Sequence, residues 1–296
     1  MSSVALSRRV FLLAAIFAYL QIALGGVVRV TGSGLGCPDW PLCHGRPYPP
    51  ADLNAIIEYS HRTVGAVTGV LIIATVVAAW AVFRTRRPAV PWLATAAVIA
   101  VSIEGALGGV VVVSELKPWL VAVHLGLAMI ILGCLVATAV LSMPQSPGMP
   151  SASFRRLASA AVAGTYILLL SGSSVVATQS DKTCRSWPVC DLSSANTFAL
   201  LHRGVALVAG VLLIVFLVAA YRRGLRFFAV ATAIVLVLQV AIGAASAITD
   251  AAAANGLHVA MATLVWSGVL TTALLALPRA DRASESARLQ IQKTTV

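Results

Sequence analysis

The segment Cys37-Pro-Asp-Trp-Pro-Leu-Cys43 recurs in the chain as Cys184-Arg-Ser-Trp-Pro-Val-Cys190, with cysteine, tryptophan, proline and cysteine at identical offsets. A His-Arg pair follows each copy, His61-Arg62 after the first and His202-Arg203 after the second. Because the match extends from a loop into the apolar run that follows it, the pattern indicates an internal duplication. The sequence therefore predicts two copies of one structural unit.

Eight apolar runs surround these loops, and each is long enough to cross a bilayer at about 20 residues per span. They are residues 10–28, 55–83, 92–113, 119–141, 157–176, 198–221, 225–248 and 257–277. The chain has 296 residues, 59% hydrophobic and only 10% charged, which excludes a water-soluble globule with its usual charge of roughly 25%. The runs lack strand alternation, so we expect helices. The predicted fold class is an all-α integral membrane protein whose eight transmembrane helices form two duplicated four-helix bundles.

Orientation explains the net charge of +11 better than a polyanionic partner does, so nucleic-acid binding is excluded. Arginines precede the first run and fill alternate loops, as at Arg8, Arg86, Arg155 and Arg222. The positive-inside rule then predicts that both termini are cytoplasmic and that both cysteine loops lie outside. We divide the chain into an N-terminal half (1–145), a C-terminal half (146–278) and a polar cytoplasmic tail (279–296).

Histidines mark the outer start of every even-numbered run. They are His61, His124, His202 and His258. Histidine in a membrane segment usually faces the bundle interior and indicates a functional site, although a hydrogen-bonded packing role is the alternative. Zinc needs about four protein ligands and non-haem iron needs carboxylates, which the two halves do not both supply. A haem needs only one or two axial imidazoles, so a histidine pair in each half favours one haem per half.

Small residues accompany these histidines. Gly65, Ala128, Ala206 and Ala262 each follow a histidine by four positions. They are expected to leave room for a flat macrocycle, although ordinary membrane-helix packing gives the same pattern. The odd-numbered runs place a polar residue one turn before a glycine, as in Gln21 with Gly25, Glu104 with Gly108 and Gln239 with Gly243. The fifth run departs from this repeat, with Leu168 and Gly172.

Glu58 distinguishes the two halves. It shares a helix face with His61, whereas Ala199 occupies the matching position before His202. A carboxylate beside only the first site could accept protons from a substrate there. The alternative is an ion pair with Arg62, four residues further on. For Glu104, the second carboxylate within a span, we expect pairing with an arginine or a hydrogen bond.

Arg62 and Arg203 are expected either to bind haem propionates through the planar guanidinium fork or to extend to water at the interface. Two disulfides are expected outside the membrane, Cys37 with Cys43 and Cys184 with Cys190. They serve either as structural links or in redox chemistry. Cys134 is expected in the core and His44 in solvent.

Three features together resemble the bacterial heme A synthases with a cysteine pair in each half, which are related to the mitochondrial enzyme. These are Thr31-Gly-Ser-Gly-Leu-Gly-Cys-Pro-Asp-Trp-Pro-Leu-Cys43, Glu58-Tyr-Ser-His-Arg62, and single histidines in runs 4, 6 and 8. The resemblance covers all eight runs. It implies an oxidoreductase of the cell membrane that oxidises the C8 methyl of heme O to the formyl group of heme A for cytochrome oxidase biogenesis.

The resemblance also implies roles for individual residues. Heme O would lie between His61 and His124, with Glu58 beside it as a catalytic acid or base. A haem b would have His202 and His258 as axial ligands, and both sites would face the extracytoplasmic side. The implied partners are heme O and heme A, membrane lipid, the preceding heme O synthase, and an electron acceptor such as a quinone.

Two other functions remain open from the residues alone. A non-enzymatic di-haem electron carrier of the cytochrome b type would use the same four histidines with two equivalent haems. A membrane thiol oxidoreductase would use the cysteine pairs as its active centres. The Glu58 asymmetry argues against the first, and the five residues between paired cysteines argue against the second.

Overall fold

Eight long helices make up almost all of the computed structural model, which describes residues 3–144 and 151–276. They are α1 (Ser3–Val30), α2 (Leu53–Phe83), α3 (Ala89–Val113), α4 (Pro118–Ser142), α5 (Ala152–Ala177), α6 (Thr197–Arg222), α7 (Arg226–Thr249) and α8 (Ala252–Leu275). All eight are long and apolar enough to cross a membrane. The predicted all-α fold with eight spans is therefore confirmed. The proposed tail and the 145/146 boundary fall outside the described residues.

Several helices extend beyond their apolar runs. Helix α1 begins at Ser3 rather than Val10, and α8 begins at Ala252 rather than Leu257. The additional residues of α1 include Arg8, whose Nε and Nη2 donate to the carbonyl of Ser142 at 3.0 and 2.8 Å. This contact satisfies a carbonyl at the end of α4 that no intrahelical donor reaches. The arginines that indicate orientation thus also stabilise a helix end.

The helices pack as two closed rings of four. In each ring, helices that are consecutive in the sequence contact each other. The contact between α1 and α4 closes the first ring, and the contact between α5 and α8 closes the second. The rings meet through α4 and α8, flanked by the pairs α1 with α8 and α4 with α5. Two duplicated four-helix bundles, as predicted, thus share one central interface.

Aromatic side chains donate hydrogen bonds across this interface. Trp266 Nε1 donates to the carbonyl of Met129 at 3.0 Å, and Tyr166 Oη donates to that of Gly126 at 3.1 Å. Their rings lie 5.7 Å apart. Gly133 makes room for the indole, because a Cβ there would lie 3.1 Å from Cζ2 of Trp266. Since lipid is as apolar as a helix surface, such bonds and close packing hold the bundles together.

Replacing Trp266 by Phe is expected to destabilise the protein by about 1 kcal/mol, because the Met129 carbonyl loses its donor within a packed interface. Thermal unfolding in detergent measures the effect. Trp119→Phe is the control, because that side chain is 60% exposed. Equal unfolding midpoints for the two variants would contradict a stabilising role for the bond.

Candidate haem-binding site

The four histidines predicted to form sites lie against glycines of the preceding helices. His61 of α2 faces Gly25, His124 of α4 faces Gly108, His202 of α6 faces Gly172, and His258 of α8 faces Gly243. A Cβ on these glycines would lie 3.1, 3.4, 3.2 and 2.7 Å from the respective Cε1 atoms. Each imidazole therefore lies against the backbone of the preceding helix. The glycines of the odd-numbered runs provide the space.

Polar residues one turn before three of these glycines reach the imidazoles. Gln21 Nε2 lies 3.2 Å from His61 Nε2, and Gln239 Nε2 lies 3.4 Å from His258 Nε2. In the third pair the Oε1 atom of Glu104 lies 3.2 Å from Nδ1 of His124. The polar residues that precede these glycines in the sequence are therefore the residues that contact the histidines. Glu104 pairs with a histidine, where an arginine was one of the expected partners.

Sequence reasoning missed the partner of His202. In α5 the residue one turn before Gly172 is Leu168, but Ser171 Oγ lies 2.9 Å from His202 Nδ1. Positions three apart share a helix face, so Ser171 reaches the same space as Leu168. A search of the whole face, rather than of one offset, would have found it.

The histidines also belong in pairs. His61 on α2 and His124 on α4 belong to opposite helices of the first ring, as His202 on α6 and His258 on α8 do in the second. Among the described residues, Nδ1 of His61 and Nδ1 of His258 are buried without a hydrogen-bond partner. Buried nitrogens normally have a partner. An axial contact to a haem iron would supply one, so these residues fit that group.

Gly65 lies against the partner of His61. A Cβ there would lie 3.0 Å from Nε2 of Gln21. The small residue therefore gives room to the amide that contacts His61. The expectation that it also leaves room for a flat macrocycle stays a prediction.

Glu58 and Arg62 join the first cysteine loop to α2. Glu58, only 3% exposed, accepts the backbone N–H of Cys37 on Oε2 at 2.7 Å and forms an ion pair with Arg62 through Oε1. Arg62 also donates to the carbonyls of Cys37, Asp39 and Leu42, at 2.8, 2.7 and 2.6 Å. The alternative of an i,i+4 ion pair is thus present. Glu58 lies one turn before His61 and directly beneath the loop.

Arg203 repeats this arrangement in the second half with fewer bonds. It donates to the carbonyls of Pro188 at 3.2 Å and Cys184 at 3.4 Å. The buried residue at the Glu58 position is Ala199, which offers no carboxylate. Both arginines therefore bind carbonyls of a cysteine loop, a contact that the sequence did not suggest. The asymmetry between the two halves persists in the structure.

Disulfides close both loops, as expected. The Sγ atoms of Cys37 and Cys43 lie 2.00 Å apart, and those of Cys184 and Cys190 lie 2.02 Å apart. Cys134 is a free, half-buried thiol on α4. The two disulfides lie at the same end of the bundle as the histidines.

Backbone donors order the first loop further. The N–H of Gly45 donates to Asp39 Oδ2 at 2.7 Å and that of His44 to Oδ1 at 2.6 Å. These bonds, that of Gly45 first, hold the pKa of Asp39 below its ordinary value. The exposed His44 is 2.9 Å from the Gly36 carbonyl through Nε2 and lies apart from the four site histidines.

Charged contacts anchor the second loop to its neighbours. Asp250, between α7 and α8, pairs with Arg185 at 2.7 Å and Lys182 at 3.3 Å. The Asn255 side chain, followed by Lys182, holds the pKa of Asp250 below its ordinary value. Arg29 of α1 lies 3.7 Å from Asp181 in this loop. The second loop therefore contacts both bundles.

Comparisons with known proteins agree with this arrangement. The chain matches the family model COX15-CtaA, described as cytochrome oxidase assembly protein, over residues 8–56 and 51–270. It is 31% identical over 269 residues to the heme A synthase of Halalkalibacterium halodurans, covering 84% of this chain and 88% of that protein. It is 29% identical over 214 residues to the heme A synthase of Bacillus licheniformis, covering 69% and 70%. The match to the family model includes all four histidines and both cysteine loops, and the chain therefore belongs to the COX15-CtaA family of cytochrome oxidase assembly proteins.

Proposed function

We propose that this protein is a heme A synthase, an oxidoreductase that oxidises the C8 methyl of heme O to the formyl group of heme A. Relatives along most of the chain carry that name. The observation that carries the proposal is the paired histidines of each bundle, with a buried carboxylate beside one pair only. Two equivalent sites would suit an electron carrier, whereas unequal sites suit a substrate and a cofactor.

In the N-terminal half (1–145), His61 and His124 would flank heme O as substrate. Glu58 lies one turn from His61 and has lone pairs beyond those used by Arg62 and the Cys37 N–H. It would accept protons released from the substrate methyl. Arg62 holds the cysteine loop over this end of α2, which would exclude water from the site. The proposed propionate contact of Arg62 would use its Nε–H, because Nη1 and Nη2 already donate to loop carbonyls and to Glu58.

In the C-terminal half (146–278), His202 and His258 would hold a haem b. When bound, that group supplies a one-electron redox centre. Ser171 and Gln239 orient the two imidazoles through their ring nitrogens. Arg203 is the proposed propionate contact of this half and holds the second cysteine loop over the site.

The proposed orientation follows from the arginines. Both termini face the cytoplasm of a cell-membrane protein, and the histidines and disulfides face the extracytoplasmic side. Heme O is apolar, so we propose that it arrives through the membrane from heme O synthase. Conversion of the methyl to a formyl group, with water as the source of the oxygen atom, releases four protons and four electrons, and a quinone-like acceptor would receive the electrons.

Gly243→Ala is expected to lower the haem b content several-fold, because the added methyl would lie 2.7 Å from Cε1 of His258 and displace the ring. Gly108→Ala is the matched control, since 3.4 Å from His124 is an ordinary contact. Pyridine haemochrome spectra of purified protein measure the content. Equal haem contents for the two variants would contradict the seating of His258.

Pigment extraction tests the function itself. Membranes that contain this protein and a heme O synthase should accumulate heme A or its hydroxylated precursor, identified by chromatography and mass. A preparation with two equivalent b haems and no new pigment would establish the electron carrier instead. Loss of activity on cysteine replacement, with retention after His61→Ala and His202→Ala, would indicate a thiol oxidoreductase.

A further inference from the structure

Glu104 has no role in the function proposed above, yet it lies within the bundle next to a site histidine. Its side chain is only 12% exposed, and Oε1 lies 3.2 Å from Nδ1 of His124. The contact is not aligned as a hydrogen bond, and Oε2 is buried without a partner among the described residues. The carboxyl group therefore keeps free acceptor capacity beside the imidazole.

A carboxylate at this depth is costly, so packing alone does not account for it. In the described part of the chain, the charged or titratable group that Glu104 contacts is His124, and no arginine or lysine shares this contact. The small residue Gly108 on the next turn lets the ring approach α3 closely. The local structure thus brings the Glu104 carboxyl group into contact with the His124 imidazole.

The duplication supplies an internal comparison. Gln239 occupies the same position in α7, one turn before Gly243, and presents its amide nitrogen to His258 at 3.4 Å. A carboxylate beside the N–H of a metal-bound imidazole makes the ligand more basic. The amide of glutamine is neutral and does so less.

We propose that Glu104 is a positioning residue that fixes the orientation of His124 and makes it a more electron-donating ligand than His258. This inference rests on the proposed function, in which both histidines bind haem iron. It gives the iron of the first bundle a lower reduction potential than the iron of the second, because a carboxylate next to the axial ligand stabilises oxidised iron more than a neutral amide does. The two halves thereby differ in their second ligand as well as at Glu58.

Reciprocal exchange tests the proposal. Glu104→Gln and Gln239→Glu are made in full-length protein loaded with haem during expression, and each haem is titrated by spectroelectrochemistry. The two haems are assigned from spectra of His61→Ala and His202→Ala. At a fixed ambient potential, Glu104→Gln should raise the ratio of reduced to oxidised haem in the first bundle about tenfold, a shift of about 59 mV. Gln239→Glu should lower that ratio in the second bundle similarly.

Each exchange should leave the reduction potential of the other bundle's haem unchanged, whereas a general loss of packing would alter both potentials. Unchanged potentials with normal haem content would overturn the proposal. If the Glu104→Gln variant loses the haem of the first bundle, the Gln239→Glu variant decides the question. An unchanged reduction potential of the second haem then overturns the proposal. Failure here is separable from failure of the proposed function: a wild-type protein that makes heme A while both variants keep their potentials contradicts only the role of Glu104.

Discussion

Replacing Glu58 by Gln is expected to lower the yield of heme A by about a hundredfold or more, the range over which a positioned acid or base contributes to a reaction. Gln keeps the size of the side chain and an oxygen for the Cys37 N–H, but it cannot take up a proton. Haem content should stay normal, because His61 keeps its seat on Gly25 and its contact with Gln21. Chromatography of extracted pigments should show heme O in place of heme A.

Glu58 also holds the first cysteine loop, so its chemical role needs a separate control. Arg62→Lys removes the guanidinium that binds three loop carbonyls but keeps the carboxylate. Trypsin cleavage at Arg46 reports whether the loop has loosened. If Arg62→Lys loosens the loop, keeps a normal content of heme O and still loses as much heme A as Glu58→Gln, the carboxylate acts by holding the loop, and a proton-accepting role is contradicted.

Replacing His202 by Ala is expected to remove the haem b and abolish heme A formation, while the protein still inserts in the membrane. Its imidazole is held by Ser171 and Gly172, and no other histidine of the second bundle can take its place beside His258. Reduced-minus-oxidised spectra of purified protein measure the loss. His61→Ala should instead keep the haem b spectrum and lose only the substrate.

His44→Ala is the matched control, because this histidine lies in the exposed first loop and contacts only backbone there. It should leave both pigment yield and spectra unchanged. Identical spectra for His61→Ala and His202→Ala would mean that the two sites are equivalent. That outcome would favour the di-haem carrier over the synthase.

The fold could be predicted almost completely from the sequence, because hydrocarbon permits few ways to satisfy a backbone. Eight apolar runs became eight helices, and the repeated cysteine loops indicated their division into two bundles. Helix ends were less predictable. Residues such as Arg8 lie outside the apolar run yet continue the helix, because they find carbonyl partners on a neighbouring helix.

The two disulfides were predicted correctly, whereas the contacts around the four histidines were not foreseen. The Gly65 argument did not foresee Gln21, whose amide lies against that glycine. Ser171 was missed because the repeat was searched at one offset. The loop carbonyls bound by Arg62 depend on how the chain turns between two cysteines, which side-chain patterns do not record.

The interface between the bundles has one more consequence. Helices α4 and α8 occupy equivalent positions in the two halves and contact each other. The contact between α1 and α8 is likewise equivalent to the contact between α5 and α4. This is the self-complementary geometry of a twofold homodimer. A lone four-helix ancestor with such a surface could pair with its own copy and hold two identical pigments. Fusion of two such copies would let each half change independently, which accounts for Ala199 at the position equivalent to Glu58 and Gln239 at the position equivalent to Glu104.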